Sequence, residues 1–266
     1  MRRTTVLVSG CLVAGLMTTA AESVSHPLQF NRTVVRVATN QSGNWSGYNQ
    51  GQLEKGTAFH EVSGTWVVPA ARQHRQGENE YSATWVGIGG GCVDSGCTTT
   101  DQTLIQAGTE QDVNSRGVAS YSAWWEIIPQ PSTRVSLSVS AGQRVRVDVA
   151  ETTPQVWAIS IKNLTTGRSF STTTPYSSSY ATAEWIEETP LIISGGSSGV
   201  AALPGLGKVV FDGGTANKIN PALKSSEEIQ LVDGSGHVLA TPSAPDSDRN
   251  GFGDCTYATS CSSPSS

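Results

Sequence analysis

Between the turns at Ala141-Gly142 and Thr166-Gly167 the chain alternates. Val145, Val147 and Val149 are interleaved with Arg144, Arg146 and Asp148. A period of two marks an antiparallel strand with one buried face. Comparable runs occur at 58–68, 82–88, 103–107, 120–128, 135–139, 156–163, 168–174, 182–187, 209–215, 229–232 and 238–241. Gly-rich breaks such as Gly195-Gly196 and Asp233-Gly234-Ser235-Gly236 separate them, and these are turn chemistry. No stretch carries the 3.6-residue apolar period of a long helix. Many short strands at this spacing define an all-β chain, an antiparallel sandwich or barrel.

The 266 residues suit one large β domain, and seven Trp with many Val and Ile can fill its core. Charged residues are only 15% of the chain, while Ser, Thr and Gly abound, a composition of exported β proteins. The net charge of −5, with no basic run beyond Arg2-Arg3, argues against a nucleic-acid partner. Residues 1–21 read as a signal peptide: Arg2-Arg3, an apolar stretch from Val6 to Leu16, and small residues at Thr19-Ala20-Ala21. The apolar stretch is short for a membrane span. A secreted, membrane-free monomer is expected, with 22–40 as a short pro-segment or linker and 41–266 as one domain ending in a Ser/Pro-rich tail.

Removal of the leader discards Cys11 and leaves Cys92, Cys97, Cys255 and Cys261, an even number that favours disulfides in an exported chain. Pairing Cys92 with Cys97 and Cys255 with Cys261 is the simplest of three arrangements. No His lies near either pair and neither has C-x-x-C spacing, so zinc is disfavoured. The Asp246-to-Asp254 stretch resembles the start of a calcium loop, but Tyr257 stands where a bidentate Glu belongs. A turn before a last short strand is the simpler reading. Sequons at Asn31, Asn40, Asn44 and Asn163 matter only in a glycosylating host.

Several catalytic signatures fail. Gly195-Gly-Ser197-Ser-Gly199 matches a nucleophile elbow, but no βαβ alternation surrounds it. Asp94-Ser-Gly96 has no second copy to complete an aspartic dyad. His60-Glu61 begins a zinc motif that Gly64 breaks.

Three runs remain: 103–108, 121–129 and 181–190. Each has strand character yet places Gln, Glu or Trp where Val or Leu would serve a plain core. By alternation Gln106 shares a face with Glu110, Trp124 with Glu126, and Glu184 with Glu188. Glu184 and Glu188 are about 13 Å apart at 3.3 Å per residue, so neither is the other's close partner. A carboxylate from one strand can deprotonate water and an amide from another can donate to an oxyanion. One Glu and one Gln therefore suffice for amide hydrolysis without metal or organic cofactor. A Trp-lined sandwich also suits a carbohydrate-binding, lectin-like module. A carboxyl pair such as Glu126 and Glu188 would suit a glycosidase if about 5 to 9.5 Å apart.

The chain resembles the glutamic peptidases, the eqolisin or G1 family. The resemblance is carried by Asn44-Trp-Ser-Gly-Tyr48, Gly64-Thr-Trp-Val-Val-Pro69, Trp85-Val-Gly-Ile88, Leu104-Ile-Gln-Ala-Gly108, Tyr121-Ser-Ala-Trp-Trp-Glu126, Asn163-Leu-Thr-Thr-Gly167 and Ala183-Glu-Trp-Ile-Glu-Glu188. It implies a concanavalin-like sandwich of two seven-stranded sheets with a concave substrate groove. By motif position the catalytic pair is Gln106 and Glu188, with Glu184 as fallback. Trp85, Glu110, Trp124 and Glu126 fall on cleft positions. Polypeptides are the implied substrates and an acidic optimum the implied condition. Gly89 stands where Asp is usual, and Thr189-Pro190 follow Glu188 in place of an acid and Phe. These departures bear on substrate preference.

Overall fold

The computed structural model describes residues 33–194 and 197–265. The leader, its cleavage point, His26, Asn31 and most of the 22–40 segment lie outside the described residues. In chain order the first strands are β1 (Arg36–Ala38), β2 (Gln41–Ser42), β3 (Trp45–Gly51), β4 (Glu61–Val67), β5 (Ala83–Gly89), β6 (Leu104–Val113), β7 (Ala119–Ile127), β8 (Thr133–Arg134) and β9 (Arg144–Thr153). There follow β10 (Val156–Asn163), β11 (Ser169–Pro175), β12 (Thr182–Glu188), β13 (Leu191–Ser194), β14 (Ser197–Val200), β15 (Lys208–Ala216), β16 (Glu228–Val232), β17 (Val238–Pro242) and β18 (Phe252–Thr256). Among the described residues helix is limited to one turn, α1 (Gln52–Lys55), and a 3-10 turn at Ser225–Glu227. Among the described residues no helix is long and apolar enough to cross a membrane.

Hydrogen bonding runs β11-β10-β9-β4-β15-β18-β17-β16-β3-β12-β5-β6-β7-β8. This path folds back on itself, so its two halves form the layers of a sandwich. Val145, Val147 and Val149 of β9 share one buried cluster with Val62 and Trp66 of β4 and Ile159 and Ile161 of β10. The same cluster takes in Val86 and Ile88 of β5, Ile105 and Ala107 of β6, and Trp185 of β12. Trp185 crosses the core because Gly64 and Gly214 leave room: a Cβ on either would meet its indole at 3.0–3.1 Å. Its Nε1 donates to the Ser63 carbonyl at 2.8 Å.

Most expected strands are present. The run at 135–139 is not a strand; β8 ends at Arg134, and pairing with β7 stops after the Val135 N–H donates to the Ala123 carbonyl at 2.9 Å. The Trp45–Gly51 strand gave no alternation signal because every residue in it is buried, on both faces. Thr33–Ala38 is packed on the domain: β1 pairs with β2, and Val34, 7% exposed, joins an apolar cluster with Trp45 and Trp85. Both local disulfides, Cys92–Cys97 and Cys255–Cys261, are present. Asp94 caps the first loop by accepting from the backbone of Thr98 and Thr99, a use unrelated to a catalytic dyad. Asp246 accepts from the backbone of Asn250 and Gly251, which makes 246–251 a turn. Asn44 and Asn163 are fully buried, so neither is available as a glycan acceptor. Ser197–Val200 is the second arm of a hairpin with no helix after it, so the elbow context is absent.

Candidate active site

One face of β3, β12, β5, β6 and β7 points inward to the sandwich core, and alternation sends the other residues outward. Register sets the outer face in rows. Glu126 lies opposite Gln106, which lies opposite Gly87, which faces Glu184. The next row is Trp124, Gly108, Trp85 and Ile186, and the third is Ser122, Glu110, Ala83, Glu188 and Trp45. All the site residues expected from sequence therefore share one face.

The glycines shape this face. A Cβ on Gly108 would sit 2.6 Å from the Trp85 Cβ, and one on Gly87 would sit 3.0 Å from its ring. Trp85 therefore lies over bare backbone, edge-on to Trp45 at 4.9 Å between ring centroids. Its Nε1 donates to Glu188 Oε2 at 2.8 Å. Burial pushes the Glu188 carboxyl up to about 8, opposed by the hydrogen bond from Trp85 that favours its charged form.

Gln106 donates through Nε2 to Glu126 Oε2 at 2.7 Å. Both side chains are 1% exposed, and the Oε1 atom of each is buried without a hydrogen-bond partner. Burial drives Glu126 up to about 9, with the Gln106 bond opposing and the Glu188 charge adding. The action of the Glu188 charge on Glu126 places the two within electrostatic reach across β5 and β6. Gln106, Glu126 and Glu188 thus form one group, although register puts Gln106 level with Glu184.

Glu184 is on the same face but is not brought into that group. It is buried beneath the Gly91 backbone, where a Cβ would come 2.6 Å from its Oε1. Burial, with Asp101 adding, raises it well above the usual carboxylate range, and both its oxygens are buried without a hydrogen-bond partner. Glu110 accepts from Ser122 Oγ at 2.5 Å and is raised by burial.

Sequence reasoning missed three neighbours. Asp112, two residues from Glu110 and on its face, is driven up to about 9 by burial and the Glu110 charge. The alternation rule that selected Glu110 also selects Asp112. Asn44 and Trp45 border Glu188 from β3, and only their place in a matching block marked them. A concavity of about 1210 Å³ opens past the Glu188 end of β12, walled by Val35, Tyr81, Ile192, Leu203 and Tyr257. None of the expected site residues lines it. The remaining described histidines serve elsewhere: His60 pairs with Glu151, His237 with Asp233, and His74 stacks on Tyr257.

The arrangement is that of an acid–base hydrolase built on a β-sandwich: carboxyls, an amide and indoles gathered on one sheet face. The Peptidase A4 family model matches residues 43–250. Aspergillopepsin-2 of Aspergillus niger is 26% identical over 225 residues, covering 76% of this chain and 74% of that one. Scytalidopepsin B of Scytalidium lignicola is 30% identical over 164 residues, 60% of this chain and 56% of that one. Scytalido-glutamic peptidase, solved with a peptide-based transition-state analogue, has the same fold (TM-score 0.62, 20% identity, 80% of this chain and 98% of that one). Aspergilloglutamic peptidase from Aspergillus niger superposes with TM-score 0.51 at 26% identity over 66% of this chain and 99% of that one. The chain belongs to the Peptidase A4 family, the eqolisin or G1 glutamic peptidases, and is an endopeptidase of that family.

Proposed function

We propose that the protein is a secreted acid endopeptidase that cleaves polypeptides with Glu188 and Gln106 as its catalytic pair. The observation that carries this reading is the joining of Gln106, Glu126 and Glu188 on one buried face beside Trp85. The ionised fraction of Glu188 takes a proton from a water that attacks the scissile carbonyl, then returns it to the leaving nitrogen. Gln106 has an amide hydrogen free of Glu126, and donates it to the tetrahedral oxyanion. Trp85 and Trp124 flank the substrate, and Glu110 and Glu126 set the protonation of the face. Glu184 has no part in the chemistry, because it is held under the Cys92–Cys97 loop.

Export is supported by the leader-like N-terminus and by the two disulfides. Polypeptide substrates are supported by the relatives, one solved with a peptide-based transition-state analogue and another with the tripeptide Ala-Ile-His. The test is digestion of a denatured protein from pH 2 to 7 by wild type and Glu188→Gln. Acid cleavage by wild type and its loss in the variant, with an unchanged circular dichroism spectrum, is the expected result. A Glu188→Gln protein with most of its activity would overturn the assignment.

A further inference from the structure

Glu126 differs from Glu188 in one respect: its surroundings. Glu188 accepts from Trp85 Nε1 at 2.8 Å, and neither of its oxygens is both buried and unpartnered. Glu126 accepts from the Gln106 amide at 2.7 Å, and its Oε1 is buried with no partner. The charged groups that act on Glu126 offer no relief. Glu188 from β12 repels its charge, and no cation among the described residues contributes. Tyr176, after β11, is influenced by it but is itself pushed up, and so stays a neutral phenol. Two carboxylates on one desolvated face would repel strongly. When the environments of two such groups differ, the proton settles on the partner whose charge is less well met, here Glu126 with its unpartnered Oε1.

We propose that Glu126 is a positioning residue that works as a neutral carboxylic acid, holding the Gln106 amide through its carbonyl oxygen so that Glu188 alone carries the charge of the site. The inference rests on the catalytic roles proposed for Glu188 and Gln106. The two flips of an amide have nearly identical shapes, and its hydrogen-bond partners decide between them. The Glu126 carbonyl favours the orientation with nitrogen toward β7, and the second amide hydrogen then faces the reacting carbonyl. The Glu126 proton is then carried on Oε1, the oxygen that is buried without a partner. An ionised Glu126 would instead set a negative charge beside the developing oxyanion and oppose it.

The test uses the full chain with Glu126→Gln and Glu126→Leu. Glutamine reproduces a neutral acid, with a carbonyl to accept from Gln106 and a donor in place of the hydroxyl. Leucine removes both. Loss of one oxyanion donor's alignment costs about 100- to 1000-fold in kcat. Glu126→Leu is expected to fall by that factor with KM little changed, and Glu126→Gln to recover to within about tenfold of wild type. Equal losses in both variants would mean that the charged form is required and would overturn the inference. So would an unimpaired Glu126→Leu.

A second measurement needs no activity. The infrared difference between wild type and Glu126→Gln near pH 6, where an ordinary Glu is ionised, should show a protonated-carboxyl stretch. A carboxylate band there overturns the inference even if the leucine variant fails to fold. Failure of the catalytic reading has a different signature: activity retained in Glu188→Gln, whatever Glu126 does.

Discussion

Asp254 should make this fold acid-stable and neutral-labile, and replacing it with Asn should remove much of that dependence. Asp254 sits on β18, fully buried. One oxygen accepts from Ser46 Oγ at 2.9 Å, and the other is buried without a partner. Burial raises its carboxyl from the ordinary 3.8 to about 7, against hydrogen bonds from Ser46 and the Cys255 backbone. Because the folded-state value is raised, the folded chain binds a proton that the unfolded chain has released between about pH 4 and pH 7. Its stabilisation is complete below about pH 4 and is lost as pH rises through about 7. Three pH units at about 1.4 kcal/mol each amount to about 4 kcal/mol. That is a large share of a typical total of about 5 to 15 kcal/mol.

Urea unfolding followed by tryptophan fluorescence at pH 4, 5, 6 and 7 measures this directly. Wild type should lose stability steadily over the range. Asp254→Asn keeps an acceptor for Ser46 and has nothing to ionise. It should match wild type near pH 4 within about 1 kcal/mol and exceed it at pH 7 by up to about 4 kcal/mol. Parallel curves for the two proteins from pH 4 to 7 would refute the reasoning. Glu187 faces the same interior, donates nothing to catalysis, and accepts only from Thr84 Oγ1 at 2.6 Å. It is raised well above its usual range by burial, with Asp254 and Glu188 adding. Glu187→Gln should act in the same direction, and the double variant less than additively, because the two carboxyls interact.

Trp85→Phe keeps the ring but removes the donor to Glu188. A hydrogen bond to a charged group is worth about 1.5 to 3 kcal/mol, so the acidic limb of kcat/KM should move up by about one to two pH units; an unmoved limb would count against Glu188 as the base. Gly108→Ala would place a Cβ 2.2 Å from the Thr84 carbonyl and 2.6 Å from the Trp85 Cβ. Overpacking of this kind costs about 1 to 3 kcal/mol, read as a lowered Tm together with reduced kcat. Replacing Cys92 and Cys97 together by Ser opens a short loop closed over a separation of 5 residues. Loop entropy predicts a loss of about 2 kcal/mol, measurable by thermal melting.

The strands were legible where one face is apolar and the other polar, as in Arg144–Thr153, because a half-buried strand must alternate. Trp45–Gly51 escaped notice because a strand buried on both faces has no such pattern. Val135–Val139 misled for the opposite reason: its alternation is real, with Leu137 and Val139 buried, but its pairing with β7 ends after the Val135 bond to Ala123. Alternation also put Gln106 with Glu110, and Glu184 with Glu188, on common faces, which the register bears out. What sequence by itself determined is local: which residues share a face, where turns fall, and which cysteines are near enough in the chain to pair. Only the tertiary structure decided which face looks into the core and which strands adjoin. It alone separated Glu184, sealed beneath Gly91, from Glu188, set against Trp85. Both glutamates have the same side chain and the same parity on one strand. Their difference comes from segments distant in sequence, brought near by strand pairing, and these fix the burial and hydrogen bonding on which carboxyl chemistry depends.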